Sequence, residues 1–135
     1  MSKVLIVNDT PIINKLLKRG LESADFIVDT VILGQEGVMK AQAEPYDIIL
    51  LDYNLPDING DVVCKAIRAD SCNKGTPVYY ISSQDKETLD QVIAATGASG
   101  FLDIAVDVDE LCARIKVLPE ARPWCPVLSM SSRKR

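Results

Sequence analysis

The chain is 135 residues long, 47% apolar and 25% charged, with a formal net charge of −4, a size and mix that suit one globular domain with its own core. It has no histidine, and Cys64, Cys72, Cys112 and Cys125 lack Cys-x-x-Cys spacing; Ser–His and Cys–His catalysis are therefore excluded and no zinc site of the usual Cys/His kind is expected. No apolar run approaches the ~20 residues of a membrane span, the N-terminus lacks the pattern of a signal peptide, and a cytoplasmic protein is expected.

The predicted elements alternate strand and helix. Lys3 to Val7 is β-branched and apolar, a first buried strand that ends at Asn8-Asp9. Thr10-Pro11 supplies an N-cap and a first-turn proline. The helix after it carries Ile13, Leu16, Leu17 and Leu21 inward and Lys15, Lys18 and Arg19 outward, to about Glu22. Phe26 to Leu33, rich in Ile and Val, reads as a second strand closed by Gly34, and Gln35 to Ala43 as a short helix stopped by Glu44-Pro45.

Ile48 to Leu51 is a continuous apolar run, which suits a strand buried on both faces of a parallel sheet. Asp52 ends it, Tyr53 to Asp57 breaks the pattern, and Asn59-Gly60 opens a helix over Asp61–Ala69 with Val62, Val63, Ala66 and Ile67 inward. Ser71 to Gly75 is a polar loop before a fourth strand, Val78 to Ile81, that ends in Ser82-Ser83. A helix over Asp85–Ala95 places Leu89, Val92 and Ile93 on one side, and Gly97 is its C-cap. Gly100 to Ile104 is a brief fifth strand. Asp107 to Glu110 resembles a capping box before a last helix with Leu111, Ile115 and Leu118 inward. Cys64 and Cys112 fall on apolar helix faces and are expected as core thiols.

Pro119, Pro123 and Pro126 interrupt the remainder. Residues 1–118 are thus expected to form the domain, and 119–135 a Pro-rich basic tail or linker, either leading to a further domain or packed as an arm through Trp124 and Leu128. The tail carries Arg122, Arg133, Lys134 and Arg135 against Glu120, a charge of +3, so the first 118 residues sum to −7. An acidic body argues against direct nucleic-acid binding by this domain.

Five strands alternating with five helices predict an α/β fold, a doubly wound five-stranded parallel sheet with helices on both faces. A chain this short fits the flavodoxin-like strand order 2-1-3-4-5. Strands 1 and 3 are then neighbours, their carboxyl ends flank the switch point, and Asp9 and Asp52 come together. Asp52 as a plain loop cap is the simpler alternative. Two adjacent carboxylates repel unless solvated, protonated or bridged by a cation. With oxygen ligands alone the cation is hard, and magnesium suits one or two carboxylates plus waters. The Asn54 backbone carbonyl is a candidate third ligand, and Asp52 a candidate nucleophile toward a phosphoryl group.

Four stretches then resemble a known family. Val-Leu-Ile-Val-Asn-Asp, Asp-Ile-Ile-Leu-Leu-Asp-Tyr-Asn-Leu-Pro-Asp-Ile-Asn-Gly, Pro-Val-Tyr-Tyr-Ile-Ser-Ser and Gly-Ala-Ser-Gly-Phe-Leu are similar to the receiver domain of two-component response regulators, over residues 3–118 without gaps. The resemblance implies Asp52 as phospho-acceptor, Asp9 as magnesium ligand with Asp52 and the Asn54 carbonyl, Ser82 as switch hydroxyl and Phe101 as switch aromatic. Ser82 bonded to local backbone and Phe101 as plain core remain the alternatives.

Two positions depart from the family pattern. Asn8 stands where the family usually has an acid, and Ile104, followed by Ala105, stands where it has Lys followed by Pro. The Lys normally meets a phosphoryl oxygen, and the Pro fixes a bend.

Three functions follow as expectations. The first is a phosphorelay receiver that takes phosphate on Asp52 from a sensor histidine kinase or phosphotransfer protein, rearranges its face of helix 4, strand 5 and helix 5, and acts on an output domain or partner protein. At most it would catalyse its own phosphorylation and dephosphorylation, and a homodimer through that face is one expectation. The second is a degenerate receiver acting as a phosphorylation-independent protein-binding module. The third, a small phosphatase or flavin protein, is the weakest, because the loop after strand 1 has no Ser/Thr/Gly run and no general base is evident.

Overall fold

The computed structural model describes residues 3–69, 73–82, 86–103 and 108–116. Its elements are β1 (Lys3–Val7), α1 (Pro11–Glu22), β2 (Ile27–Val31), α2 (Gly34–Ala43), β3 (Ile48–Asp52), α3 (Gly60–Ala69), β4 (Val78–Ser82), α4 (Lys86–Thr96), β5 (Gly100–Asp103) and α5 (Val108–Lys116). The strands form one parallel sheet in the order β2-β1-β3-β4-β5, as the alternation predicts. The tail over 119–135, Leu118, Asp107, Ile104 and Ala105 lie outside the described residues.

Two apolar layers sandwich the sheet. Leu5, Val7, Ile49, Leu51, Val78 and Tyr80 pack with Ala41 of α2, Val63, Cys64 and Ile67 of α3, and Leu89 of α4. Val4, Ile6, Ile48, Leu50 and Ile81 face the other way, onto Leu17 and Leu21 of α1 and Cys112 and Ile115 of α5. Alternate residues of β1 and β3 therefore serve opposite layers, and both strands are apolar throughout because both faces are covered. Cys64 and Cys112 are buried, as expected of core thiols.

The core differs from expectation at two helices. Leu16 is 40% exposed and Val62 49% exposed. Each lies about 100° around its helix from an apolar neighbour that does go inward, Leu17 and Val63, and a helix face cannot bury both. Val92 and Phe101 are half-buried against the first layer.

Helix α2 begins one residue earlier than expected, at Gly34, because the cap comes from elsewhere. The Asp57 carboxylate accepts the N–H groups of Gly34 (2.7 Å) and Gln35 (2.9 Å). Those bonds hold the Asp57 acid below its usual range. Thr10 occupies the N-cap of α1, but its side chain makes no capping bond. Gly97 adopts φ +78° directly after α4, a left-handed cap that favours glycine.

At the amino ends of β3 and β4, Asn73 is fully buried, although the sequence places it in a polar loop. Its Oδ1 accepts the Tyr46 N–H (2.7 Å) and the Thr76 hydroxyl (2.9 Å), and its Nδ2 donates to the carbonyls of Ala41 (2.6 Å) and Glu44 (2.9 Å). All four capacities of one amide are thus filled. Beside it, the Arg68 guanidinium donates to the carbonyls of Thr76 (2.6 Å), Lys74 (3.0 Å) and Gly97 (3.1 Å).

Candidate functional site

The topology brings Asp9 and Asp52 together at the carboxyl ends of β1 and β3. Val7 pairs with Leu51, so the residues that follow, Asn8-Asp9 and Asp52, meet one step further along. Asp52 is half-buried and Asp9 is exposed. Burial drives the Asp52 carboxyl up to about 6, and the negative charge of Asp9, close enough to share a hydrogen bond with it, pushes the same way. The N–H groups of Asn54, 3.2 Å from Oδ1, and of Tyr53 oppose the rise by stabilising the ionised form.

The loop behind Asp52 is held by contact between backbones. The Gly60 N–H donates to the Tyr53 carbonyl at 2.7 Å. A Cβ at position 60 would lie 2.5 Å from the Asp52 carbonyl oxygen and 2.9 Å from Tyr53 Cα. Neither backbone atom can swing aside as a side chain would. Gly60→Ala is expected to cost about 1–3 kcal/mol of stability, measured by urea unfolding, and to displace the Asp52 loop; a cost below ~0.5 kcal/mol would show that the loop yields. Tyr53 also packs edge-on against Tyr80, with centroids 6.1 Å apart.

Asn8 is 1% exposed. Its Nδ2 donates to Asn14 Oδ1 (3.1 Å), and Asn14 Nδ2 donates back to the Asn8 carbonyl (2.7 Å). Asn8 Oδ1 is the one buried side-chain N or O atom among the described residues that has no partner. Asn14 escapes sequence reasoning. Its signal is a polar residue in step with Leu17 and Leu21 on the buried stripe of α1.

The remaining expected site residues are placed only in part. Asn54 is exposed beside Asp52, and Phe101 is half-buried in register with Tyr80. Ser82 ends β4, and its side chain lies outside the described atoms. Among the described residues no three acidic or cysteine side chains gather into a metal-binding group, so a cation here would rest on two carboxylates and on neutral oxygens. The residues present suit such an ion. The two carboxylates repel each other, the donors are all oxygen, and a buried amide oxygen lacks a partner, a combination that a hard cation satisfies.

Fold and site together define a flavodoxin-like α/β protein with an acidic pair at its topological switch point. The chain belongs to the response regulator receiver domain family, whose model matches residues 4–116. It is 36% identical over 124 residues to the response regulator ArlR of Staphylococcus saprophyticus, covering 91% of this chain and 54% of that protein. It is 33% identical over 132 residues to ArlR of Staphylococcus aureus, covering 97% and 58%. The chain thus spans about half the length of the curated relatives it matches. Among solved structures, the chemotaxis protein CheY4 of Vibrio cholerae superposes with a TM-score of 0.80 at 31% identity, over 86% of this chain and 97% of that one. A CheY-like receiver domain protein from Methanospirillum hungatei shares the fold, with a TM-score of 0.77 over 86% and 91% of the two chains at 22% identity. Receiver domains of this family are signalling modules of two-component systems. No helix among the described residues is long and apolar enough to cross a membrane.

Proposed function

We propose that this receiver accepts a phosphoryl group on Asp52 from a histidine kinase or phosphotransfer protein and passes the change to an output domain or partner protein. The observation that carries the reading is the half-buried Asp52 carboxylate beside Asp9 at the switch point. A carboxylate there has the reach of a nucleophile and a second acid next to it to help hold a cation. Asp9, Asp52 and the Asn54 carbonyl are the protein ligands we assign to magnesium. When bound, that ion offsets the charge of the acidic pair and of the incoming phosphoryl oxygens.

In the transfer step a carboxylate oxygen of Asp52 forms a bond to phosphorus while the donor's phosphorus–nitrogen bond breaks. The electron pair of that bond leaves with the imidazole, which takes up a proton. The N–H groups of Asn54 and Tyr53, already directed at the carboxylate, hold it in place through the step. Ser82 and Phe101 are the residues assigned to the switch that follows, and they change the face formed by α4, β5 and α5.

A second reading is a receiver that works by binding alone. It is favoured by Asn8, whose neutral amide is bonded to Asn14 where the family usually has an acid. The two separate on one experiment. The protein is incubated with magnesium and a small phosphodonor, then with a matched kinase, and weighed. An adduct of about 80 Da that hydroxylamine removes is expected of an acyl phosphate. No adduct from either donor overturns the phospho-acceptor reading in favour of the binding module.

A further inference from the structure

We infer that Asn14 is a positioning residue that locks the Asn8 side chain with its amide oxygen turned toward the cation shared by Asp9 and Asp52; this rests on the magnesium reading above. The two asparagines determine each other's orientation. Only an N–H can donate to a main-chain carbonyl, so the Asn14 atom 2.7 Å from the Asn8 carbonyl is nitrogen. Its other end is therefore an oxygen, and the Asn8 atom 3.1 Å from it must be the NH2 group. Asn8 Oδ1 is then the end left over, and it is buried without a partner.

The surroundings of Asn8 follow from the sheet. Val4 and Ile6 of β1 and Ile48 and Leu50 of β3 face the layer of α1 and α5. Alternation places Asn8 and Asp52 on that same face. They stand one step beyond the Val7–Leu51 pair, on strands about 4.8 Å apart. The residue that carries the unpaired acceptor thus stands next to Asp52, and Asp9 follows it directly in the chain. Asn14 fixes the sign of this contact. Reversed, the same amide would present its NH2 group, a donor that repels a cation. Held as it is, Asn8 adds an oxygen to the site without adding charge, either directly on the ion or through one of its waters. A buried acceptor with no partner is costly, and a bound cation or its water relieves that cost.

The test is a double-mutant cycle on the full chain, read as magnesium affinity by calorimetry. Asn14→Ala should weaken binding about tenfold, the lower end of what losing an orienting partner costs a metal site. In an Asn8→Ala background the same change should have no effect, because the oxygen it orients is gone. Asn14→Leu, which keeps the buried volume, should repeat the result if the alanine variant unfolds. Magnesium should also shift the Asn8 side-chain carbonyl carbon in the NMR spectrum of the wild type and leave it unmoved in Asn14→Ala. Equal losses in both backgrounds, or an unmoved Asn8 carbonyl in the wild type, would overturn the inference. Failure of the wild type to bind magnesium at all would instead overturn the reading on which it rests.

Discussion

Asp52→Asn is expected to abolish the phosphoryl adduct and, at the same time, to make the protein more stable at neutral pH. The first effect follows from chemistry, since an amide oxygen is no substitute for the carboxylate nucleophile. The second follows from the environment. The Asp52 carboxyl titrates at about 6 in the fold, against a reference of 3.8, so the folded state prefers the neutral acid. The stabilising contribution of that acid is fully present below about pH 4 and is lost as pH rises through 6. At pH 7 the ionised group costs up to about 3 kcal/mol for a shift of this size, which solvent screening at a half-exposed position reduces to about 1–2 kcal/mol. The variant should therefore melt about 3–8 °C above wild type at pH 7 and level with it at pH 4. Magnesium should raise the melting point of the wild type at pH 7 and leave the variant unchanged. Undiminished labelling of the variant would remove Asp52 as acceptor, and a stability gain as large at pH 4 as at pH 7 would remove the titration argument.

Ile104→Lys is expected to raise phosphotransfer, or affinity for a phosphoryl analogue, by roughly ten- to a hundredfold. The resemblance to receiver domains implies a standard pocket of three carboxylates and one lysine, a sum of −2, with the lysine at position 104. On that pattern Asp9 and Asp52 without the lysine would give the same sum, because Asn8 would remove one negative charge and Ile104 one positive. The unphosphorylated site would thus keep the usual net charge and its attraction for a divalent cation, whereas loss of the lysine alone would leave −3. The phosphorylated site does not keep this balance. Phosphoryl oxygens on Asp52 would then lack the lysine that the family pattern supplies, and one charge-assisted hydrogen bond is worth roughly 1.5–3 kcal/mol, hence the factor. Adding Asn8→Asp should increase the gain. Rates that do not move in Ile104→Lys, measured with a small phosphodonor, would show that the charge offset is not what governs this pocket.

The parts of this molecule readable from its sequence are those governed by local pattern plus one topological rule. Apolar runs of four or five residues ending in Asp9 and Asp52 identify two buried strands, and the order 2-1-3-4-5 makes them neighbours. What was not readable depends on contacts across the chain. Nothing near Gly34 announces that Asp57, 23 residues later, caps its helix. Nothing near Gly60 shows that its missing side chain is where the Asp52 backbone passes. Asn14 and Asn73 are polar residues that local pattern sends to the surface, and both are buried because a second chain segment completes their hydrogen bonds. Leu16 errs the other way. Adjacent leucines look equally apolar, and only the packed position of α1 decides which one turns inward.

The Asn73 amide and the Arg68 guanidinium tie together the amino end of the sheet. Hydrogen bonds made by these two side chains join α2, α3, the turn before β4 and the end of α4 at one level. Around Asp52, at the opposite end, the described residues are joined by shorter-range bonds: the Gly60 N–H to the Tyr53 carbonyl, the N–H groups of Asn54 and Tyr53 to the carboxylate, and the Asn8–Asn14 pair. On the proposed function, a phosphoryl group on Asp52 would arrive at the end of the sheet opposite this network. Amide exchange should be slower at Tyr46 and Val78, beside that network, than at Asn54, so that the incoming group would meet the more yielding end of the domain.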